Sequence, residues 1–251
     1  MQLQRGGAVV RASASQSLLM LMPGGDPYFA NVVLLMSFDG NYADKSSLAQ
    51  AFANSGTTLS ATGAKFTQSV KIGGTSPSGG GINAVTSSAP RAQYSLASGD
   101  YTIECWVNPA TAASAFNEVV LSASDSGAGL GTGGWLIKLN NSGAGTYATF
   151  INGSSAFIDS GSSSNYLVVG SWNHIACTRQ GSVTRLFING VLAASVNNAA
   201  TDALVSKTIA VGNLAGLSLG FDGAIDEVRV TKGVARYTAS FTPPAAPFQN
   251  S

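Results

Sequence analysis

The 251 residues carry a formal net charge of +1, with only 10% charged and 45% hydrophobic side chains. The 13 basic residues are scattered, so no basic stripe marks a surface for nucleic acid or anionic membrane, and no apolar run approaches the length that spans a bilayer. That length fits one large all-β domain or two small ones, with enough apolar side chains for a sizeable core.

Residues 1–27 contain Gly6-Gly7, the run SASQS and Pro23-Gly24-Gly25, with one apolar patch formed by Leu18, Leu19, Met20, Leu21 and Met22. Ordering each residue costs about 1–2 kcal/mol of backbone entropy, and a single patch does not offset that for the whole segment. The segment reads as a disordered tail or as an extended N-terminal arm that docks its patch on a neighbouring chain. We expect the arm, with residues 28–251 as the folded domain. Arg11 and the Ser-rich run interrupt any signal-peptide core, so we also expect synthesis in a cytoplasm, with Cys105 and Cys177 as reduced thiols.

Asn31–Phe38 (NVVLLMSF) is a continuous apolar strand, a pattern of burial on both faces or of a strand at the centre of packing, and it ends at Asp39-Gly40-Asn41. Leu48–Leu59 is ambiguous, with one or two helical turns as a candidate. Phe66–Ile72 reads as a strand and Thr75–Gly81 as a Gly-Pro-Ser loop. In Tyr101–Asn108 (YTIECWVN), alternation places Ile103, Cys105 and Val107 on one face and Thr102, Glu104 and Trp106 on the other. Strands are predicted at Val119–Ser122, Trp135–Leu139, Tyr147–Ile151, Ala156–Asp159 and Tyr166–Val169, with a Gly-rich loop over Ser124–Gly134 and a hairpin at Asn152-Gly153.

Ser171–Ser195 (SWNHIACTRQGSVTRLFINGVLAAS) predicts two strands, Trp172–Thr178 and Thr184–Ile188, followed by Asn189-Gly190 and a third run, Val191–Ser195. Asn-Gly between apolar runs is the strongest short hairpin signal, because a type I′ turn needs positive φ at both central residues. A two-residue turn sets Ile188 opposite Val191, Phe187 opposite Leu192 and Leu186 opposite Ala193. Thr208–Val211 and Phe221–Val230 are further strands. Val234–Tyr237 suggests one helical turn, and Pro243, Pro244 and Pro247 an extended tail. About a dozen short strands without a long amphipathic helix argue for an all-β, two-sheet antiparallel sandwich or jelly roll.

From Tyr28 to Phe248 the chain resembles the laminin-G-like, concanavalin-A-like jelly-roll family. The resemblance is carried in order by NVVLLMSFDG, GDYTIECWVNP, GSWNHIACTR, RLFINGV and FDGAIDEVRV. The opening DPYFANVVLLMSFDG and the closing KGVARYTASFTPP look like laminin-G-like domains of bacteriophage structural proteins. The resemblance implies two stacked antiparallel sheets and a carbohydrate- or protein-binding role, not catalysis. In pentraxins, which share the fold, two cysteines on adjacent strands form a disulfide. Cys105 and Cys177 sit on the matching strands, each shifted by one residue, and we expect two buried thiols facing each other.

No catalytic residue is predicted. Laminarinase-type glucanases of this fold carry E-x-D-x-x-E, and none of Glu104, Glu118 and Glu227 stands in that pattern. Asp226 and Glu227 are adjacent, so on a regular strand they point to opposite faces, and an odd spacing separates His174 from Cys177 likewise. No cofactor is expected. For a structural calcium the resemblance suggests Asp39 and Asp226, weighed against a turn and a backbone hydrogen-bond acceptor. Trp106, Trp135 and Trp172 read as core rather than sugar platforms. The expected function is a non-enzymatic virion protein, decorating a capsid or forming part of a tail or fibre. It would be made in the host cytoplasm, act in several copies, and contact other virion proteins and a host surface glycan. The alternative is a soluble lectin-like glycan-binding module.

Overall fold

A computed structural model describes residues 25–73, 84–112, 118–124, 133–153, 156–197, 205–214 and 219–251. The patch Leu18–Met22, the loop Thr75–Gly81 and residues 125–132 of the Gly-rich loop lie outside them. The strands in chain order are β1 (Val32–Met36), β2 (Phe52–Ser55), β3 (Thr58–Ser60), β4 (Ser69–Ile72), β5 (Ala84–Ser87), β6 (Tyr101–Pro109), β7 (Glu118–Ser124), β8 (Trp135–Asn141), β9 (Thr146–Asn152), β10 (Ala156–Asp159), β11 (Asn173–Gln180), β12 (Val183–Ile188), β13 (Val191–Asn197), β14 (Thr208–Val211) and β15 (Gly223–Lys232). One sheet runs β13-β12-β11-β6-β15-β4-β3, with β1 also paired to β15; the other runs β10-β9-β8-β7-β14-β5-β2. These strands pair antiparallel throughout, as expected for the sandwich.

Period-two alternation builds the core. The first sheet contributes Leu34, Met36, Val70, Ile72, Ile103, Cys105, Val107, Ile175, Leu186 and Val230; the second contributes Val85, Leu121, Trp135, Ile137, Phe150 and Ile209. A fully buried aliphatic or Phe side chain contributes roughly 1.5–3 kcal/mol. Trp135 is wholly buried and its indole N–H donates to the Tyr94 carbonyl at 2.9 Å, so its one polar atom is satisfied. Cys105 and Cys177 are free, buried and on the core face of adjacent strands. They are diagonal rather than opposed, because Cys105 pairs with Ile175 and Cys177 with Ile103.

The Asn189-Gly190 turn forms as predicted, with φ of 51° and 78°. Ile188 faces Val191 and Phe187 faces Leu192, but a bulge then places Ala194, not Ala193, opposite Leu186. Tyr166–Val169 is not a strand and makes a single bridge, Leu167 to Thr146. Leu48–Leu59 is extended rather than helical, and β5 went unrecognised because four residues show too little alternation. No helical turn forms at Val234–Tyr237, where the chain follows side-chain bonds to the sheet instead. β1 is buried on both faces without being central. Its far edge is capped by Asp44, and its outer face is covered by Phe248 and Phe29.

Candidate functional site

The residues that alternation directs away from the core line the outer face of the first sheet. Register places Glu104 of β6 opposite Arg229 of β15 and Ala176 of β11, and Trp106 opposite both His174 and Asp226. Glu104 is fully buried. A buried carboxylate costs several kcal/mol unless its lone pairs are met, and here they are. Oε1 accepts from Arg229 Nε at 2.9 Å and Nη2 at 2.7 Å, while Oε2 accepts from the Tyr237 hydroxyl at 2.9 Å. His174 Nε2 lies 3.3 Å from Oε2, at ion-pair distance but without an aligned hydrogen bond. Burial alone would raise the Glu104 carboxyl; the Arg229, His174 and Arg236 side chains outweigh it and hold it down to about 2.

Both ends of the domain close over this face. Asp26 is gripped by Arg236, with Nη1 to Oδ1 at 2.9 Å and Nη2 to Oδ2 at 2.6 Å, and by Arg229 Nη1 at 3.2 Å. The Asp26 N–H donates to the Ser251 carbonyl at 2.6 Å. A Cβ at Gly25 would strike the Ser251 backbone, so the two ends meet only because residue 25 is glycine. From Gly233 onward the chain forms a strap. Thr102 donates to the Val234 carbonyl, Thr178 to the Tyr237 carbonyl and the Phe248 N–H to Glu227 Oε2. Phe241 stacks on Tyr237 with centroids 3.5 Å apart, and packs edge-on against Phe187 and His174.

A second cover comes from Ala61–Gln68. Lys65 Nζ sits 3.6 Å from the Trp106 ring, and the half-exposed Trp172 indole donates to the Gly63 carbonyl. Beneath it a bulge in β15, with Glu227 at φ 51°, interrupts the alternation predicted for Asp226 and Glu227. The two carboxyls do not point to opposite faces. Asp226 accepts from the Phe66 N–H of this loop and Glu227 from the Phe248 N–H of the strap, both outside the sheet. Burial and the neighbouring Glu227 charge push Asp226 up to about 8; burial, with Asp39 nearby, pushes Glu227 up to about 7.

The pairing of β1 with β15 thus brings Asp39 into electrostatic range of Asp226, as the calcium expectation requires. Calcium takes six to eight oxygens. Both Asp226 oxygens already accept backbone N–H groups, and Asp39 Oδ1 accepts from Gln68 N. Among the described residues no group of three His, Cys, Asp or Glu side chains could hold a metal ion.

An open cleft of about 340 Å³ lies at the end of the same sheet, where Lys71, Asn108 and Asp222 surround Gly73, Gly170 and Gly223. Residues 78–236 match the model of the concanavalin A-like lectin/glucanases superfamily. The chain belongs to this superfamily. No curated protein matches it. Among solved structures, domain 4 of AbnA, a GH43 extracellular arabinanase from Geobacillus stearothermophilus in complex with arabinotriose, is similar at a TM-score of 0.59 and 18% identity. It covers 82% of this chain and 94% of its own. The binding domain of Paraclostridial Mosquitocidal Protein 1 (TM-score 0.59, 15% identity) and that of botulinum neurotoxin DC in complex with rat synaptotagmin II (0.59, 13%) each match over 82% of this chain. The chain spans only 49% of their lengths. These likenesses establish the fold.

Within the superfamily fold, the outer face of this first sheet is filled by the chain's own segments. Glu104 and His174 lie 3.3 Å apart and are both fully buried, so the pair forms the centre of a clamp. Asp26, Arg236 and Tyr237, which complete that clamp, are absent from the candidates read from sequence. The signal lay in the two terminal motifs: DPY supplies Asp26, and VARYTASF supplies Arg236, Tyr237 and Phe241.

Proposed function

We propose that the chain is a non-enzymatic binding module, a virion structural protein held on a capsid, tail or fibre through its N-terminal arm. The observation that carries this reading is the clamp between the two terminal motifs. Those motifs resemble phage structural proteins, and the Asp26–Arg236 pair joins them at one corner, next in the chain to residues 1–24. A load on that segment is delivered to two arginines and, through Arg229 and Glu104, to the centre of the sheet. The absence of catalysis is supported by the solvent-free state of Glu104 and by the two N–H bonds on Asp226. Removing residues 1–24 while keeping Asp26 should leave a folded domain with an unchanged melting temperature that no longer associates with particles. Normal occupancy of the truncated protein on particles would overturn the reading.

The cleft formed by Lys71, Asn108 and Asp222 favours glycan binding as a second reading, since it groups polar side chains at an open sheet end. Binding of an oligosaccharide panel that is lost in Asn108→Ala and Asp222→Ala, and unaffected by removal of residues 1–24, would select it.

A further inference from the structure

Residues 234–248 cross the first sheet as neither strand nor helix, so side chains of the sheet hold them where a ladder would otherwise do so. Register sorts those side chains into rows. Thr231, Thr102 and Thr178 form one row across β15, β6 and β11. Thr102 Oγ1 donates to the Val234 carbonyl at 2.9 Å and accepts from Arg236 N at 2.8 Å. Thr178 Oγ1 donates to the Tyr237 carbonyl at 2.8 Å, and Thr231 Oγ1 accepts from Arg236 Nε at 2.7 Å. Arg229, Glu104, Ala176 and Phe187 form the next row, from β15 to β12. Tyr237 meets both neighbours of the small Ala176, with its hydroxyl on Glu104 and its ring edge-on to Phe187. Phe241 then packs on Phe187 and His174 while its N–H donates to the Gly190 carbonyl at 2.8 Å.

We propose that this face is a recognition groove for an extended peptide carrying Arg-Tyr-x-x-x-Phe, filled in cis by residues 236–241 and open to the same pattern on a partner protein. Its contacts are those of a bound peptide: two aromatic anchors, one arginine paired with Asp26, and hydroxyls that read the backbone. The sheet does not need the strap for its own charge balance. With the strap lifted, Glu104 still accepts from Arg229 Nε and Nη2, and Arg229 Nη1 still meets Asp26. The other groups set free are hydroxyls, the Gly190 carbonyl and carboxylate oxygens, all of which water satisfies. The tether gives the cis segment an effective concentration of about millimolar. A partner therefore gains the groove only where it adds contacts of its own or where the strap is already lifted.

Removing the tether tests this. The folded chain, cut between Gly233 and Val234 at an inserted protease site, should keep its strap and exchange it for a fluorescent synthetic peptide of residues 234–251, one per chain. The uncut chain should take up none at micromolar peptide. A peptide with Phe241→Ala should bind at least about tenfold more weakly, the loss expected for one buried aromatic anchor. Ala176→Leu in the cut chain fills the groove between Glu104 and Phe187 and should also weaken uptake. On the unaltered chain, the Phe241 and Phe248 amides should exchange hydrogen through one shared opening that leaves the core strands protected. A cut chain that takes up no peptide, whether folded or not, equal binding of the Phe241→Ala peptide, or strap amides that exchange only with global unfolding would overturn the proposal.

Discussion

Asp26 and Arg236 are 210 residues apart in sequence and form a two-pronged ion pair that is nearly solvent-free, the side chains being 4% and 8% exposed. The pair fastens the start of the domain to its strap, and Arg229 extends it to Glu104 at the centre of the sheet.

Breaking this clamp on one side should be costly, because it strands buried charge. Asp26→Ala should destabilise the domain by about 3–5 kcal/mol, the range for removing one partner of a buried pair. A cycle with Arg236→Ala, followed by urea unfolding, should show a coupling of about 0.5–3 kcal/mol. Additive losses would mean that the two side chains do not act together.

The hairpin tip bears on the strap as well as on its own strands. Gly190 has φ of 78°, its carbonyl accepts from the Phe241 N–H at 2.8 Å, and a Cβ there would strike the Phe241 carbonyl. Gly190→Val should cost about 1–3 kcal/mol from backbone strain alone, with further loss as the strap is displaced. Thermal unfolding reports the sum, and an unchanged melting temperature would contradict the turn geometry.

Stability should fall as the pH rises through neutrality. Asp226 and Glu227 are raised from ordinary values of 3.8 and 4.5 to about 8 and about 7, so the folded state holds more protons than the unfolded chain in between. Their contribution is full below about pH 4 and is lost as the pH climbs through about 7 and 8. Glu104 and Asp26 are depressed, and their contribution is lost as the pH falls from about 4 towards 2. Asp39, Lys45, Lys65 and Arg229 are the charged neighbours of the raised pair. Glu227→Gln keeps an acceptor for the Phe248 N–H and should roughly halve the slope of unfolding free energy between pH 5 and 7. A slope equal to wild type would place the titration elsewhere.

The two thiols should be silent in the folded protein. Burial pushes both Cys105 and Cys177 up, away from the reactive thiolate, and their diagonal placement sets each opposite an isoleucine. A thiol reagent should label neither in native buffer and both after unfolding without reductant.

The local features were legible in the sequence because their causes are local. Alternation in YTIECWVN separates the core face from the face that carries Glu104, and the Asn189-Gly190 turn follows from the backbone freedom of two adjacent residues. The sandwich itself follows from many such strands and turns. What only the tertiary structure decided depends on segments far apart in the chain. The bulge opposite Phe187 shifts Ala193 out of register, and the bulge at Glu227 turns two adjacent carboxyls to one side; alternation assumes a regular strand and contains no sign of either. The clamp needs Asp26, Glu104, Arg229, Arg236 and Tyr237 to converge from both ends and the middle of the sequence. Each alone reads as an ordinary polar residue, and only packing the strap across the sheet removes the water that would otherwise solvate them.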